Sequence, residues 1–347
     1  MPPTPDEWDV NMAAHPAGHL LQTTPWGRLK SEFGWAAEVV APTAAAGALV
    51  LYRRLPLGLC LAYVPRGPVL DWADPAALPG LLPALAAAAR KRGALCLKLE
   101  PGLNDTPAHI AWLTGLGLRP SPHTVQPRRS LVIDLRPAEP AILAAMKPKT
   151  RYNIGLAAKK GVTVRRAPTE LGQAAASADV ERFIALMAET GRRDGFGVHA
   201  PEYYRRAFAL FAPSGQAVLA LAEYQGAALA GVMAFALGKQ AWYFYGASSD
   251  QERARMAPYL AQWEALRWAR AQGAETYDLW GVPDADEAEL EAGFEARRDG
   301  LWGVYRFKRG WGGRLTRTVG AWDWVYNPLL YRAYVLYLQR RGGHNLG

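Results

Sequence analysis

Thiols are nearly absent from this chain: 347 residues hold two cysteines, Cys60 and Cys96, each inside an apolar strand-like run. That pattern excludes a disulfide framework and predicts buried, reduced thiols. Histidine is equally sparse. His15, His19, His109, His123, His199 and His344 are scattered, and no Cys/His cluster has metal-ligand spacing, so neither a metal nor another cofactor is expected. No uncharged run reaches membrane-spanning length, and the N-terminus opens on prolines and acidic residues without an apolar signal core. The expected location is the cytoplasm. No heptad run appears, and the segment 200–213 is too short for a coiled coil.

Acidic residues are also in the minority, 31 against 40 Lys and Arg, for a net charge of +9. A basic balance attracts nucleic acid, anionic membrane surfaces or phosphorylated substrates, and composition does not choose among them. The charge is spread in doublets, Lys159-Lys160, Arg165-Arg166, Arg192-Arg193, Arg205-Arg206 and Arg297-Arg298, rather than gathered in a tail. A polyanionic partner is the expectation. The most informative stretch is Lys147 to Val162, which holds five cations and has a helix-starting Pro148 and a helix-ending Gly161. Ile154, Ala157 and Ala158 give it only a thin apolar stripe, so the rest of its surface is expected to meet an anion.

Half the residues are hydrophobic, enough for packed cores, and the length fits two domains. Residues 46–64 read as two strands, a helix follows from about Pro79 to Arg92, and Ala94 to Glu100 reads as a strand. The order returns later: strands at 216–224, 227–237 and 240–247, a helix from about Met256 to Gln272, and a strand at 276–280. The helix exits Ala89-Arg-Lys-Arg-Gly-Ala94 and Ala269-Arg-Ala-Gln-Gly-Ala274 share Ala, Arg, Gly and Ala at a constant offset of 180 residues, which points to a duplicated unit. The expected class is α+β. Domain one is expected at 1–145, completed by the C-terminal 314–347 as a strand and an aromatic helix; domain two is expected at 146–313, carrying a cleft.

Several stretches together resemble the Fem-type (FemABX) peptidyltransferases, which build peptidoglycan cross-bridges from aminoacyl-tRNA. They are Gln22-Thr-Thr-Pro-Trp26-Gly-Arg-Leu-Lys30, Tyr63-Val-Pro-Arg-Gly-Pro68, Gln126-Pro127, the basic helix Lys149 to Gly161, Trp242-Tyr-Phe-Tyr-Gly-Ala-Ser248 and Tyr305-Arg-Phe-Lys308. They run in family order over nearly the whole chain. The resemblance implies two GCN5-related N-acetyltransferase-like (GNAT) domains in tandem, without a coiled-coil insertion, in the compact FemX form. It also implies an aminoacyltransferase that moves Gly, Ala or Ser from aminoacyl-tRNA to the side-chain amine of stem residue 3. The acceptor is lipid II or UDP-MurNAc-pentapeptide. A monomer and a peripheral contact with the inner membrane face belong to the same expectation.

The resemblance also assigns roles. Lys308, expected at the end of a strand, is the cation for the developing oxyanion, a donor of the kind worth roughly 3 kcal/mol. Lys30 and Arg192 are implied to hold the diphosphate of the precursor, with a hydroxyl from Thr190. Relatives place a tyrosine where Phe196 stands; Tyr204, or its neighbour Tyr203, is the candidate to compensate. Arg66 of the matching loop joins this set. Tyr243 and Tyr245 alternate with Trp242 and Phe244, so each pair is expected to share a side of its strand, and the tyrosines are assigned to the cleft. Glu100 is the candidate general base, with a water chain or the tRNA ribose as alternatives. Arg151, Lys159 and Lys160 are assigned to the tRNA backbone. Two rivals use other chemistry: an acyl-CoA-dependent N-acyltransferase on the same fold, and a nucleic-acid-binding module without catalysis.

Overall fold

Two 15-residue helices, Ala77–Lys91 and Ala257–Ala271, lie 180 residues apart in the sequence at both ends, and each does the same job. The first buries Leu78, Leu81, Leu82, Leu85 and Ala89, one face of a 3.6-residue period. Each helix runs out through a glycine in the left-handed region, Gly93 at φ 69° and Gly273 at φ 85°, where a side chain would be strained. Each then feeds a strand that pairs in parallel with the strand before the helix: Cys60–Val64 with Ala94–Leu99, and Gln240–Ser248 with Thr276–Gly281. A parallel pair needs such a crossover, and the repeated one marks the duplication.

In the computed structural model, residues 3–170, 174–195 and 197–340 are described. Two compact units form, Met1–Arg128 with Arg317–Gly347, and Arg129–Thr316. The first carries a six-stranded sheet in the order Ala36–Thr43, Ala46–Arg54, Cys60–Val64, Ala94–Leu99, Trp322–Val325, Arg119–Pro120. The second carries a seven-stranded sheet in the order Arg314–Arg317, Arg129–Asp134, Thr276–Gly281, Gln240–Ser248, Ala227–Leu237, Ala217–Tyr224, Thr163–Arg166. The class is α+β, with one sheet and one helical crossover of the same kind in each unit. The helix Pro201–Phe211 is no coiled coil: it buries Tyr203, Tyr204, Ala207, Phe208 and Phe211 within its own unit.

The break between the units comes earlier than residue 145. Arg129–Asp134 pairs antiparallel with Thr276–Gly281, and Ile142 and Met146 are buried in the second core, so 129–145 belongs to the second unit. The tail differs as well. Arg314–Arg317 closes the second sheet, whereas Trp322–Val325, a strand that alternation of Trp with Asp and Val did not announce, enters the first. Buried Lys98 and Asp323 form an ion pair of 2.9 Å, and the Tyr331 hydroxyl donates to Asp323 at 2.6 Å. A pair so enclosed punishes loss of either partner, so it fixes the returning tail in one register. Cys60 and Cys96 are buried free thiols, as their runs predict.

Candidate active site

A cavity ringed by cations lies in the second unit. A hollow of about 600 Å³ is lined by Arg193, Arg253, Arg298, Arg306 and Lys308, with Asp194 as the only carboxylate among its lining residues. Tyr243, Tyr259 and Phe307 supply aromatic walls. Five cations around one hollow favour an anionic occupant.

Lys308 is the last residue of a helix, Trp302–Lys308, not the end of a strand. The segment Trp-Gly-Val-Tyr-Arg-Phe-Lys buries Trp302, Tyr305 and Lys308 at i, i+3 and i+6, the face of a helix rather than the alternation of a strand. Lys308 is 6% exposed; its ammonium donates to the Gly281 carbonyl oxygen at 2.7 Å and sits 5.6 Å from the Tyr243 ring centroid. Burial lowers its pKa to about 8, against the opposing pull of Asp278. Lys308 is therefore charged at neutral pH, and two of its three protons are left for other acceptors.

The Gly281 carbonyl is itself placed by an irregular strand. The register of Thr276–Gly281 against Arg129–Asp134 shifts between Asp278 and Gly281. Within the shift Trp280 has φ 61°, a left-handed conformation rare for a bulky residue. The Asp278 carboxylate holds this shape by accepting the Trp280 N–H at 2.7 Å, and Ser130 donates to its other oxygen at 3.2 Å. A bulge of this kind redirects a carbonyl without ending the strand.

A second bulge overturns the expected pairing of tyrosines. Tyr243 is opposite Ala234 and Tyr245 opposite Met233, so two residues advance on one strand while one advances on the other. The extra residue breaks the alternation. Tyr243 packs with the core that holds Tyr277 and lines the cavity. Tyr245 meets the rings of His199, Tyr203 and Tyr204 instead, 5.3 Å from Tyr204. Tyr204 is buried there and its hydroxyl accepts the His199 N–H at 3.1 Å. Only Tyr243 of these residues belongs to the cavity; Tyr204 and Tyr245 are packing residues. Phe196 lies outside the described residues.

Thr190 and the arginine doublet are also rearranged. Thr190 is buried, donates to the Ser248 carbonyl at 3.0 Å and accepts the Ser248 N–H at 2.9 Å. Its hydroxyl stitches the helix Ala174–Asp194 to the strand Gln240–Ser248, and its proton is not available to a phosphate. Arg192 is exposed and is not a lining residue of the cavity; Arg193 is. Arg193 donates to the Ser248 carbonyl at 2.8 Å and to Asp250 at 3.2 Å. Helical phase explains the exchange: 193 lies three residues after Thr190 on the same face, and 192 does not. That phase was readable, since the helix pattern itself is clear. The positions of Arg253, Arg298 and Arg306 around the cavity left no comparable signal.

Of the residues expected in the first unit, Lys30 is 7% exposed on the helix Thr24–Ser31, its ammonium 5.9 Å and 6.0 Å from the ring centroids of Trp26 and Trp35. Burial and the nearby Arg53 lower its pKa to about 8. Arg66, at φ 50°, donates to the Pro127 carbonyl at 2.7 Å. Gln22 ties its segment to the 65–68 loop. Its side chain donates to the Pro65 carbonyl at 2.6 Å and accepts the Leu49 N–H at 2.8 Å, and a Cβ on Gly67 would strike it at 2.8 Å.

Glu100 does not have the surroundings of a base. It is buried, accepts the Tyr63 hydroxyl, and takes the Val125 and Gln126 N–H groups at 2.6 Å and 3.1 Å. Burial raises its pKa, with those bonds opposing. The carboxylate anchors the 125–127 loop, and the N–H of Gln126 is one of its tethers.

The basic helix forms over Pro148–Lys159, with Thr150 and Asn153 buried beside Ile154 and Ala157, while Ala158 is exposed. Two of the cations assigned there to tRNA have internal partners. Arg151 donates to the carbonyls of Ala144, at 3.1 Å, and Met146, closing the end of the helix Glu139–Ala145. Lys160 donates to the Ala254 carbonyl at 2.8 Å. Lys159 is exposed.

The sequence pattern of the FemAB family matches residues 4–110, 111–227 and 222–337. Relatives include the lipid II:glycine glycyltransferase of Staphylococcus haemolyticus (strain JCSC1435), 26% identical over 95% of this chain and 93% of that protein. The lipid II:glycine glycyltransferase of Staphylococcus saprophyticus subsp. saprophyticus is 25% identical over 93% of this chain and 92% of that protein. Among solved structures, FemX superposes with a TM-score of 0.84 at 24% identity, covering 96% of this chain and 98% of FemX. L-PGS from Bacillus licheniformis superposes at 0.56 with 12% identity, over 99% of this chain and 98% of that one. With the family pattern matched along nearly its whole length, the chain belongs to the FemAB family.

Proposed function

We propose that this FemAB-family transferase carries an amino acid from aminoacyl-tRNA to the side-chain amine of the third stem residue of a peptidoglycan precursor, building the interpeptide bridge. The observation that carries the reading is the buried ammonium of Lys308 beside a cation-lined cavity. The relatives named as lipid II:glycine glycyltransferases support the same reaction class and favour lipid II as acceptor and glycine as the group moved.

The chemistry is aminolysis of an ester. The amine nitrogen adds to the ester carbonyl, a C–N bond forms, and negative charge collects on the carbonyl oxygen. Lys308 donates a hydrogen bond to that oxygen from a buried position, where such a donor acts more strongly than in open water. The C–O bond to the ribose then breaks, and the amine proton ends on the departing ribose oxygen. With Glu100 tethered to a loop, the tRNA ribose or a water chain is the route for that proton. The ester is already activated, so the step consumes no further energy source. Arg193, Arg253, Arg298 and Arg306 neutralise the phosphates at the end of the tRNA, and Lys30, with Arg53 near it, neutralises those of the precursor.

Purified protein offered charged tRNA and acyl-CoA in separate reactions, each with lipid II, tests the reading. Transfer of the tRNA-borne amino acid to the stem peptide is the expected result. Transfer only from acyl-CoA would establish the rival donor.

A further inference from the structure

The helix that carries Lys308 has little of its own to hold it in place. Trp302–Lys308 spans seven residues, and its N-cap, Leu301, offers no side-chain hydrogen bond. A helix of about two turns takes its position from its neighbours. The groups that meet the Lys308 ammonium all stand on strands: the Gly281 carbonyl and Asp278 on Thr276–Gly281, and the Tyr243 ring on Gln240–Ser248. Whether the ammonium reaches them depends on what fixes the helix from its other side.

One carboxylate is placed to do this. Glu291, on the helix Glu287–Gly293, accepts Arg309 Nε at 3.0 Å on one oxygen and a second guanidinium nitrogen of Arg309 on the other, a bidentate pair. The Tyr305 hydroxyl donates to the same carboxylate at 3.1 Å, and Lys147 Nζ, from the start of the basic helix, donates at 3.4 Å. Tyr305 and Arg309 are four residues apart and share a face, whereas Gly303, Val304 and Phe307 line the cavity from other faces. The Arg309 guanidinium also lies 3.6 Å from the Phe294 ring centroid, just past the end of the Glu291 helix. Gly293 lets the two helices close up: a Cβ there would fall 2.7 Å from the Trp302 ring. Hydrogen bonds from Arg309 hold the Glu291 carboxyl down to about 2, so the grip stays charged at every pH at which transfer is measured.

We propose that Glu291 is a positioning residue for the transfer: by gripping the residues three before and one after Lys308, it sets where the ammonium stands in the cavity. Glu291 is not itself a lining residue of that cavity, so it acts through the helix and not on a substrate. The proposal rests on the role given to Lys308 above.

Kinetics and chemical labelling of the whole protein test it together. Glu291→Ala should lower kcat about tenfold or more and change KM for either substrate by less than about twofold. Glu291→Gln, which keeps an acceptor oxygen, should fall between that variant and the parent. Acylation of the Lys308 amine across pH, read by mass spectrometry on the protein alone, reports its surroundings without any substrate. The midpoint, about 8 in the parent, should rise to about 9 or above in Glu291→Ala as water reaches the ammonium. Unchanged turnover, kcat and affinity lost together, or an unmoved acylation midpoint overturns the proposal. A parent protein that transfers nothing from aminoacyl-tRNA would overturn the reaction instead, and the acylation midpoint would still decide the part played by Glu291.

Discussion

The Tyr243 hydroxyl occupies the space where a side chain on Gly246 would begin: an ideal Cβ there falls 1.8 Å from that oxygen. Gly246 and Tyr243 share one strand, and the bulge between Tyr243 and Tyr245 folds the ring back over the missing side chain. The ring is thereby held beside the Lys308 ammonium. Gly246→Ala should push it out of place and lower turnover about tenfold or more, with a smaller loss of stability than a core truncation. Steady-state kinetics beside thermal melting checks this; unchanged turnover would show that the ring has no part in the site.

Lys308 sets activity against stability. Its pKa, lowered from 10.5 to about 8 by burial, means that the charged form is disfavoured in the folded state. Replacing it with an uncharged side chain of similar length, Lys308→Met, should stabilise the protein by up to about 3 kcal/mol at neutral pH, the free-energy equivalent of that shift. The sign follows from proton binding: the cost is full below pH 8, where the lysine is charged in both states. It fades as pH rises from 8 to 10.5, where the folded state has released its proton and the unfolded state has not. Denaturant melts at pH 7 and pH 10 should show a gain that shrinks with pH. Turnover should fall by about a hundredfold or more while precursor affinity holds, and equal loss of both would argue against an oxyanion role.

The parent enzyme should lose turnover as pH rises through about 8, the value at which the Lys308 ammonium releases its proton. An unperturbed lysine would hold activity to near 10. A profile of turnover against pH, compared with Lys308→Arg, measures this; an alkaline limb at the same pH in both proteins would assign it to another group.

Trp280 permits a test that separates backbone from side chain. Its φ of 61° suits glycine and strains a β-branched residue. If the bulge places the Gly281 carbonyl against Lys308, Trp280→Gly should keep more turnover than Trp280→Val, by about tenfold. If the indole matters only as packing against Phe244, whose ring lies 4.7 Å away, valine should be the better substitute. The order of the two variants decides.

Thr190 and the arginine doublet should separate by role. Thr190→Val deletes both hydrogen bonds to Ser248 and should cost about 1–2 kcal/mol of stability, leaving the half-buried Ser248 N–H without this acceptor while its carbonyl keeps Arg193. Arg193→Ala should raise KM for the anionic substrate about tenfold, and Arg192→Ala should change it by less than about twofold. The reverse order for the arginines would restore the neighbour to the site.

Composition and periodicity carried much of this protein in plain view. The repeated helix with its glycine exit, the paired strands around Gln225-Gly226 and the α+β class follow from local preference, because apolar spacing and a left-handed glycine act over a few residues. The motifs from Gln22 to Lys308 likewise pointed to the family. What tertiary structure decided was orientation and partnership. Two bulges set which side of a strand Tyr245 faces and where the Gly281 carbonyl points, and neither leaves a mark in hydrophobic alternation. Glu100 and Thr190 carry reactive groups in the sequence, but the backbone N–H and carbonyl groups brought to them in the fold turn both into anchors. Hydrogen bonds between residues 25 and 58 positions apart depend on how the chain closes on itself, and no local pattern encodes them.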